Sequence, residues 1–548
     1  MSLLNGAGAS SSEDGRLGLE SSETEPLIAD SELANDYGTA ALSLSADETP
    51  TNGNGTPSKP QHEQPKRRIG VFSAVFIIFN RLIGTGIFAN PSTILAFSGS
   101  VGLSLVMWVL GSVIAAAGMQ VYIIWGTALP YNGGEKNYLE WLFPRPKGLV
   151  TSIYAANAVL LAYSATGCLV FAEYGLASLP FTLPTSSSLL SPVRLTAFLC
   201  MTGVVLLHGL HVSAGLRLQN FLGILKLGIL VILVVTGVAA VTGHLQEGVE
   251  PPRNFESWHT IWEGSKTGGT LLCVCLYNVL WSYVGFSNAN YALSEMDNPA
   301  RTLRIAAPLA LITVTIFYLL CNVAYFAAVS KEEITGSGRL VAALLFRNVW
   351  GESTERVLNA FVALSSLGNV LSVSFAQGRV NQALGQEGVL PLSKLWASNW
   401  PAHAPLAGLG LHWLTCVIVI FAVPPGDAYN FTLNFLSYPL ALINGIISFG
   451  LLYVAVYPRS SDNNTILDDS RRDAAEKVAF PPNPSLILSA LIFGGANIFL
   501  SVMPLIRPPP GAEPYEDLPY WAHAVGGLSV LFAGWLWWFW HYRHSQVS

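Results

Sequence analysis

From residue 70 onward the chain alternates between long apolar runs and short polar connections, and the alternation continues to residue 540. The runs fall at about 70–95, 101–125, 149–178, 195–214, 219–242, 271–295, 304–328, 356–377, 406–424, 430–456, 484–504 and 521–540. As α-helices they can cross a hydrocarbon core of about 30 Å at about 1.5 Å per residue, so twelve transmembrane helices are expected. Two runs differ from the rest. The first reads FNRLIGTGIFANPSTILAFSG, with Gly84 and Gly86 near its middle, and the sixth reads LYNVLWSYVGFSNANYALSEMDNP, where Gly285 precedes Ser287, Asn288 and Asn290. Glycine lets backbone leave the helical region and lets a ligand approach the main chain. At membrane depth such backbone is tolerated only where protein or a watery cavity receives its polar groups. Two glycine-containing polar helices five spans apart are the first members of two five-helix halves, the mark of an inverted repeat with broken helices.

The expected fold is therefore an all-α polytopic membrane protein of twelve helices. Its 5+5 inverted-repeat core spans 66–456 with helices 1 and 6 broken, and two further helices occupy 484–540 after a cytoplasmic loop at 457–483. Composition agrees: 51% of residues are hydrophobic, 11% are charged against about 25% in soluble domains, and mean hydropathy is +0.45. The net charge of -6 belongs to residues 1–65, where eleven acids face only Arg16 and Lys59 and aromatic residues are almost absent. That segment is expected to be a disordered cytoplasmic tail, open to ubiquitin and trafficking machinery. No part of the chain offers the basic surface a nucleic acid requires. When loops are assigned alternately from a cytoplasmic N-terminus, the inner side receives twice as many Lys and Arg as the outer, which places both termini in the cytoplasm.

The candidate chemistry follows from the breaks. Free amides at a broken helix hold a carboxylate and free carbonyls hold an ammonium, so a zwitterionic amino acid fits both, with membrane lipid around the helices. Small residues also pack helices together, and a lone glycine pair is compatible with that use. Lys226, in the apolar fifth run, must be paired, reach water or lose its proton. It reads as a tether for the carbonyls of the broken first helix, and because burial disfavours its charge the same residue can be both tether and proton carrier. Glu295 stands beside Asp297, Arg301 and Arg304, which suggests a gate or loop salt bridge, whereas Glu135, His208, His211 and His412 could each titrate during transport but have no partner visible in sequence and read as structural. Tyr163 and Ser164 in the third run, and Ser365, Ser366, Asn369 and Ser372 on one face of the eighth, are candidates for the substrate path or for helix packing. The six cysteines sit in apolar runs as packed thiols, no cofactor or metal site is expected, and the absence of clustered carboxylates, a filter repeat or a GxxxxGK loop disfavours an enzyme, a channel and an ATP-driven pump.

GTGIF at 84–88, LPYNGGEKNYL at 129–139, Lys226 within LQNFLGILKLGILV and SEMDNPARTL at 294–303 together resemble the amino acid-polyamine-organocation superfamily, in its L-type amino acid transporter branch. The acidic tail, RRIGVFSAVFIIFNRLIGTGIFANPS and FSNANYALSEMDNP are similar to fungal high-affinity methionine permeases. The resemblance implies that the backbone at Ile83, Gly84, Thr85 and Gly86 binds the substrate carboxylate, and that at Leu280, Trp281, Ser282 and Gly285 the amino group. It implies Trp281 as a gate above the substrate, in place of the commoner Phe, and Lys226 as the proton-coupling group where sodium-driven relatives hold their cation. Val284, where the family usually has glycine, departs from the pattern. The expected partners are then L-methionine, cysteine or a related neutral amino acid, and protons, in the plasma membrane. The alternative is a sodium-independent neutral exchanger of broader specificity. L-type exchangers often join an accessory subunit through a cysteine in the loop after the third helix; the stretch LPFTLPTSSSLLSPVR has none, so no obligatory disulfide-linked subunit is expected.

Overall fold

The computed structural model describes residues 69–84, 86–180, 191–336, 341–401, 403–422, 427–457, 480–508, 515 and 518–545. The acidic tail, Thr85, and most of the loops at 179–194 and 457–483 lie outside the described residues. Everything described is helix, turn or loop apart from one isolated bridge. Among the described residues nine helices are long and apolar enough to cross a bilayer. The other three predicted runs are a short helix, Leu406–Ala422, and two divided ones.

Lipid replaces water as solvent, and the surface shows it. Val106, Val109, Leu110 and Val113 form an exposed apolar stripe on the second span, as Ile305, Leu309, Ile312 and Ile316 do on the seventh. The polar residues of the same bundle, among them Asn80, Gln219, Lys226 and Asn322, are buried. Helix starts follow local chemistry. Ser100, Asn298 and Asn483 each accept a bond from the amide three residues on, and Pro299 and Pro484 follow the last two in the first helical turn.

The first run divides into Val71–Leu82 and Gly86–Ser98. The sixth divides into Gly269–Ser282 and a tighter helix, Asn288–Glu295, with Gly285 between them at φ +131°, a conformation that disfavours any side chain. The second fragment of the first span packs on the first fragment of the sixth, so the two breaks lie side by side. At the other end Ile69 forms a parallel bridge to Met296: its amide donates to the Glu295 carbonyl at 3.0 Å and its carbonyl accepts from Asp297, also at 3.0 Å.

Two features differ from expectation. The third span is also divided, into Leu149–Leu160 and Ala165–Ala177, although no glycine or proline marks residues 161–164. Its cause is tertiary: Gln377 and Thr415 donate to the carbonyls of Ala158 and Val159, and the Ser164 hydroxyl meets His412 Nε2 at 3.0 Å. The fifth span begins at Val212, earlier than its apolar run suggests, because Arg217, Gln219 and Asn220 continue the helix. Lys226 is therefore the fifteenth of thirty residues, midway along the helix and out of reach of its ends.

Candidate functional site

The first break leaves four consecutive carbonyls without helical partners, and side chains from three other spans take them up. Lys226 Nζ donates to Asn80 O at 3.2 Å and closely to Ile83 O. Asn369 Nδ2 donates to Arg81 O at 2.7 Å, and Tyr318 Oη lies 2.7 Å from Leu82 O. Tyr318 Oη also lies 3.0 Å from Ser282 O, so one hydroxyl spans both breaks. Lys226 is 1% exposed, and these carbonyl contacts compensate its buried ammonium.

A cavity of about 190 Å³ opens against both breaks. Gly84 and Gly86 line it from the first span, and Trp281, Ser282, Val284 and Gly285 from the sixth. Gly86 begins a helix, so its amide and the next few lack intrahelical acceptors and present positive charge to the cavity. Ser282 stands so close that a Cβ on Gly86 would meet its Oγ at 2.7 Å. Ile83 does not line the cavity; its carbonyl is turned to Lys226. Leu280 faces a second, smaller cavity of about 70 Å³, and its carbonyl accepts from the Tyr283 amide. The Trp281 carbonyl accepts from Val284, so the backbone assigned to the amino group is already engaged in turns.

Of the path candidates, Tyr163, Ser164, Ser366 and Asn369 line the main cavity. Ser365 and Ser372 do not. Ser365 is buried, and Ser372 clamps the broken spans, donating to Ile77 O at 2.6 Å and accepting from Asn288 at 2.9 Å. The Glu295 partner expected from neighbouring residues is instead Arg379 of the eighth span, both side chains 1% exposed. Breaking such a pair leaves an uncompensated buried charge, so Glu295→Ala is expected to cost about 3–5 kcal/mol. Thermal unfolding in detergent checks it: the midpoint falls for Glu295→Ala and recovers in Glu295→Leu with Arg379→Met.

Two charged residues outside the expected substrate-binding set join the cavity. Arg81 and Glu135 both line the wall, and neither has an ion-pair partner among the described residues. Arg81 places a positive charge on that wall beside the first break. The only signal was composition, two charges beside apolar runs, because the groups around Glu135 come from positions 122, 154 and 291.

The sequence profile of the amino acid permease family matches residues 69–530. The chain is 40% identical to the high-affinity methionine permease of Saccharomyces cerevisiae over 86% of its own length and 78% of that protein's. It is 31% identical to the same organism's low-affinity methionine permease over 70% of each. With the human cystine/glutamate transporter it shares 32% identity over 74% of this chain and 77% of the other. The profile runs through both discontinuous helices and the cavity between them, and the chain belongs to the amino acid permease family, as a multi-pass membrane transporter of amino acids.

Proposed function

We propose that the protein takes up L-methionine, and secondarily cysteine or related neutral amino acids, across the plasma membrane by proton symport with alternating access. The observation that carries this is a cavity meeting both breaks, with the Gly86 helix start for a carboxylate and the apolar side chains of Leu82, Ala158, Leu161, Val284 and Leu440 set among polar ones on its wall. Identity to two methionine permeases supports the side-chain assignment. Both termini are assigned to the cytoplasm from the Lys and Arg distribution. The core at 66–456 does the transport and the spans at 484–540 flank it. Lys226 supplies the proton: it reaches the broken helix as an ammonium, and a change in its carbonyl cage exchanges that proton.

Uptake of labelled methionine into proteoliposomes under an imposed pH gradient, with a competition panel of amino acids, tests the proposal. Accumulation driven by the gradient and blocked by excess methionine is the expected result. A sodium-independent exchanger is the second reading, favoured if Lys226 never leaves its two carbonyls; it gives one-for-one exchange and no accumulation.

Trp281 sets size selectivity in this proposal. Trp281 and Val284 line both cavities and so form the wall between them. Trp281→Ala is expected to merge the two spaces, weaken methionine binding about 10-fold or more, and admit bulkier amino acids. Unchanged competition profiles would make the indole ordinary packing.

A further inference from the structure

Glu135 begins the short helix Glu135–Leu142 between the second and third spans, and it is 1% exposed. Three phenols from three elements converge on its carboxyl. Tyr122 of the second span lies 2.6 Å from Oε1, Tyr291 of the sixth 2.7 Å from the same oxygen, and Tyr154 of the third 3.2 Å from Oε2. The charged groups nearby are otherwise engaged or farther off. On its own helix, Lys136 turns to Glu140 and to Glu387 at the end of the eighth span, and Tyr138 meets Asn290. From the first span Arg81 approaches Tyr291.

Proton counting makes this cluster more than a clamp. Tyr122 Oη lies 2.6 Å from Glu135 Oε1 and also 2.7 Å from Asn444 Oδ1 on the tenth span. Both are short hydrogen-bond distances, yet the hydroxyl has one proton and both neighbours are acceptors when Glu135 is ionised. A protonated Glu135 satisfies both contacts: the carboxylic acid donates to Tyr122, Tyr122 donates to Asn444, and Tyr291 and Tyr154 donate to the remaining carboxyl lone pairs. With Glu135 ionised, Tyr122 turns its proton to the carboxylate, and Asn444 must either part from the hydroxyl or turn its amide nitrogen toward it.

We propose that Glu135 is a proton-binding site at the inner end of the substrate cavity, holding its proton in this conformation and releasing it when Tyr122 parts from Asn444. Burial pushes the carboxyl above its usual range, while the hydroxyls of Tyr122, Tyr291 and Tyr154 pull the other way. The conformation described here therefore gains weight as pH falls. The second, third and sixth spans meet at this carboxyl and the tenth joins them through Tyr122, so its charge state changes how they are joined beside the cavity. The placement at the inner end rests on the orientation proposed above; the proton site does not depend on methionine or on Lys226.

The test is infrared titration of the purified protein from about pH 5 to about pH 8, where unperturbed carboxyls are already ionised. The parent is expected to show the carbonyl band of a hydrogen-bonded carboxylic acid that disappears in Glu135→Gln. In Tyr291→Phe, which loses a bond favouring the ionised form, the band should persist to a pH higher by about one to two units. Methionine exchange in liposomes with equal pH on both sides should vary across the same midpoint in the parent and lose that component in Glu135→Gln. Should Glu135→Gln fail to fold, the shifted midpoint in Tyr291→Phe carries the test. A parent without the band, or a band unmoved by either substitution, overturns the proposal. Failure of pH-driven accumulation in the parent with the band and its shift intact would overturn symport and leave this site standing.

Discussion

Gly86→Val is expected to reach the membrane and to lose equilibrium methionine binding by about 10- to 100-fold. The first carbon of any side chain at this position would lie 2.7 Å from Ser282 Oγ, 3.0 Å from its Cβ and 3.2 Å from its Cα, so the sixth-span backbone itself would have to move. Ser282 cannot rotate away freely, because its hydroxyl donates to Asn278 O at 3.0 Å and accepts from Asn90 at 2.7 Å. Overpacking of this kind costs about 1–3 kcal/mol, and the branched side chain also stands beside the amides that would hold the carboxylate. Gly84 is less constrained: a Cβ there meets only the Asn369 side chain, at 3.2 Å, so Gly84→Ala should be milder. Calorimetric titration with methionine separates the two. Normal binding in a well-folded Gly86→Val protein would remove the backbone at Gly86 from the binding site.

Lys226→Met is expected to reduce methionine accumulation under an inward proton gradient to the level of empty liposomes. The substitution keeps an unbranched chain as far as Cε and removes the ammonium, leaving Asn80 O and Ile83 O without the lysine donor at the centre of the bundle. Asn369 also reaches Asn80 O, at 3.2 Å, so the break keeps part of its support. The two roles of the lysine separate by measurement. A tether affects the midpoint of thermal unfolding and the rate of exchange alike, whereas a proton carrier decides whether a gradient can be converted into accumulation. If Lys226→Met still concentrates methionine in proportion to the imposed gradient, the ammonium is only a tether and the coupling proton resides elsewhere.

The apolar runs were legible because lipid permits few alternatives to a helix, and the first and sixth breaks because Gly84, Gly86 and Gly285 stand where an anchor would carry Leu or Ile. The third break was not, since its partners His412, Thr415 and Gln377 are far away in sequence and residues 161–164 look unremarkable alone. The start of the fifth helix was misplaced for a related reason. Gln219 and Asn220 resemble loop residues, yet Asn80 donates to Gln219 O at 2.8 Å and Asn220 donates to Ser73 Oγ at 2.9 Å, inside the bundle. Glu295 showed three nearby charges, Asp297, Arg301 and Arg304, and its partner is none of them but Arg379, because a helix end projects its side chain across to the neighbouring span. Glu135 was passed over for want of a visible partner. Its partners are hydroxyls, which no charge pattern reveals.

The bridge between Ile69 and Met296 has a mechanical meaning. Two backbone bonds fasten the chain's entry into the bundle to the far end of the sixth span, so the ends of the two discontinuous helices on that side are tied to each other. A pull on the chain at Ile69 is delivered first to the two helices that border the cavity.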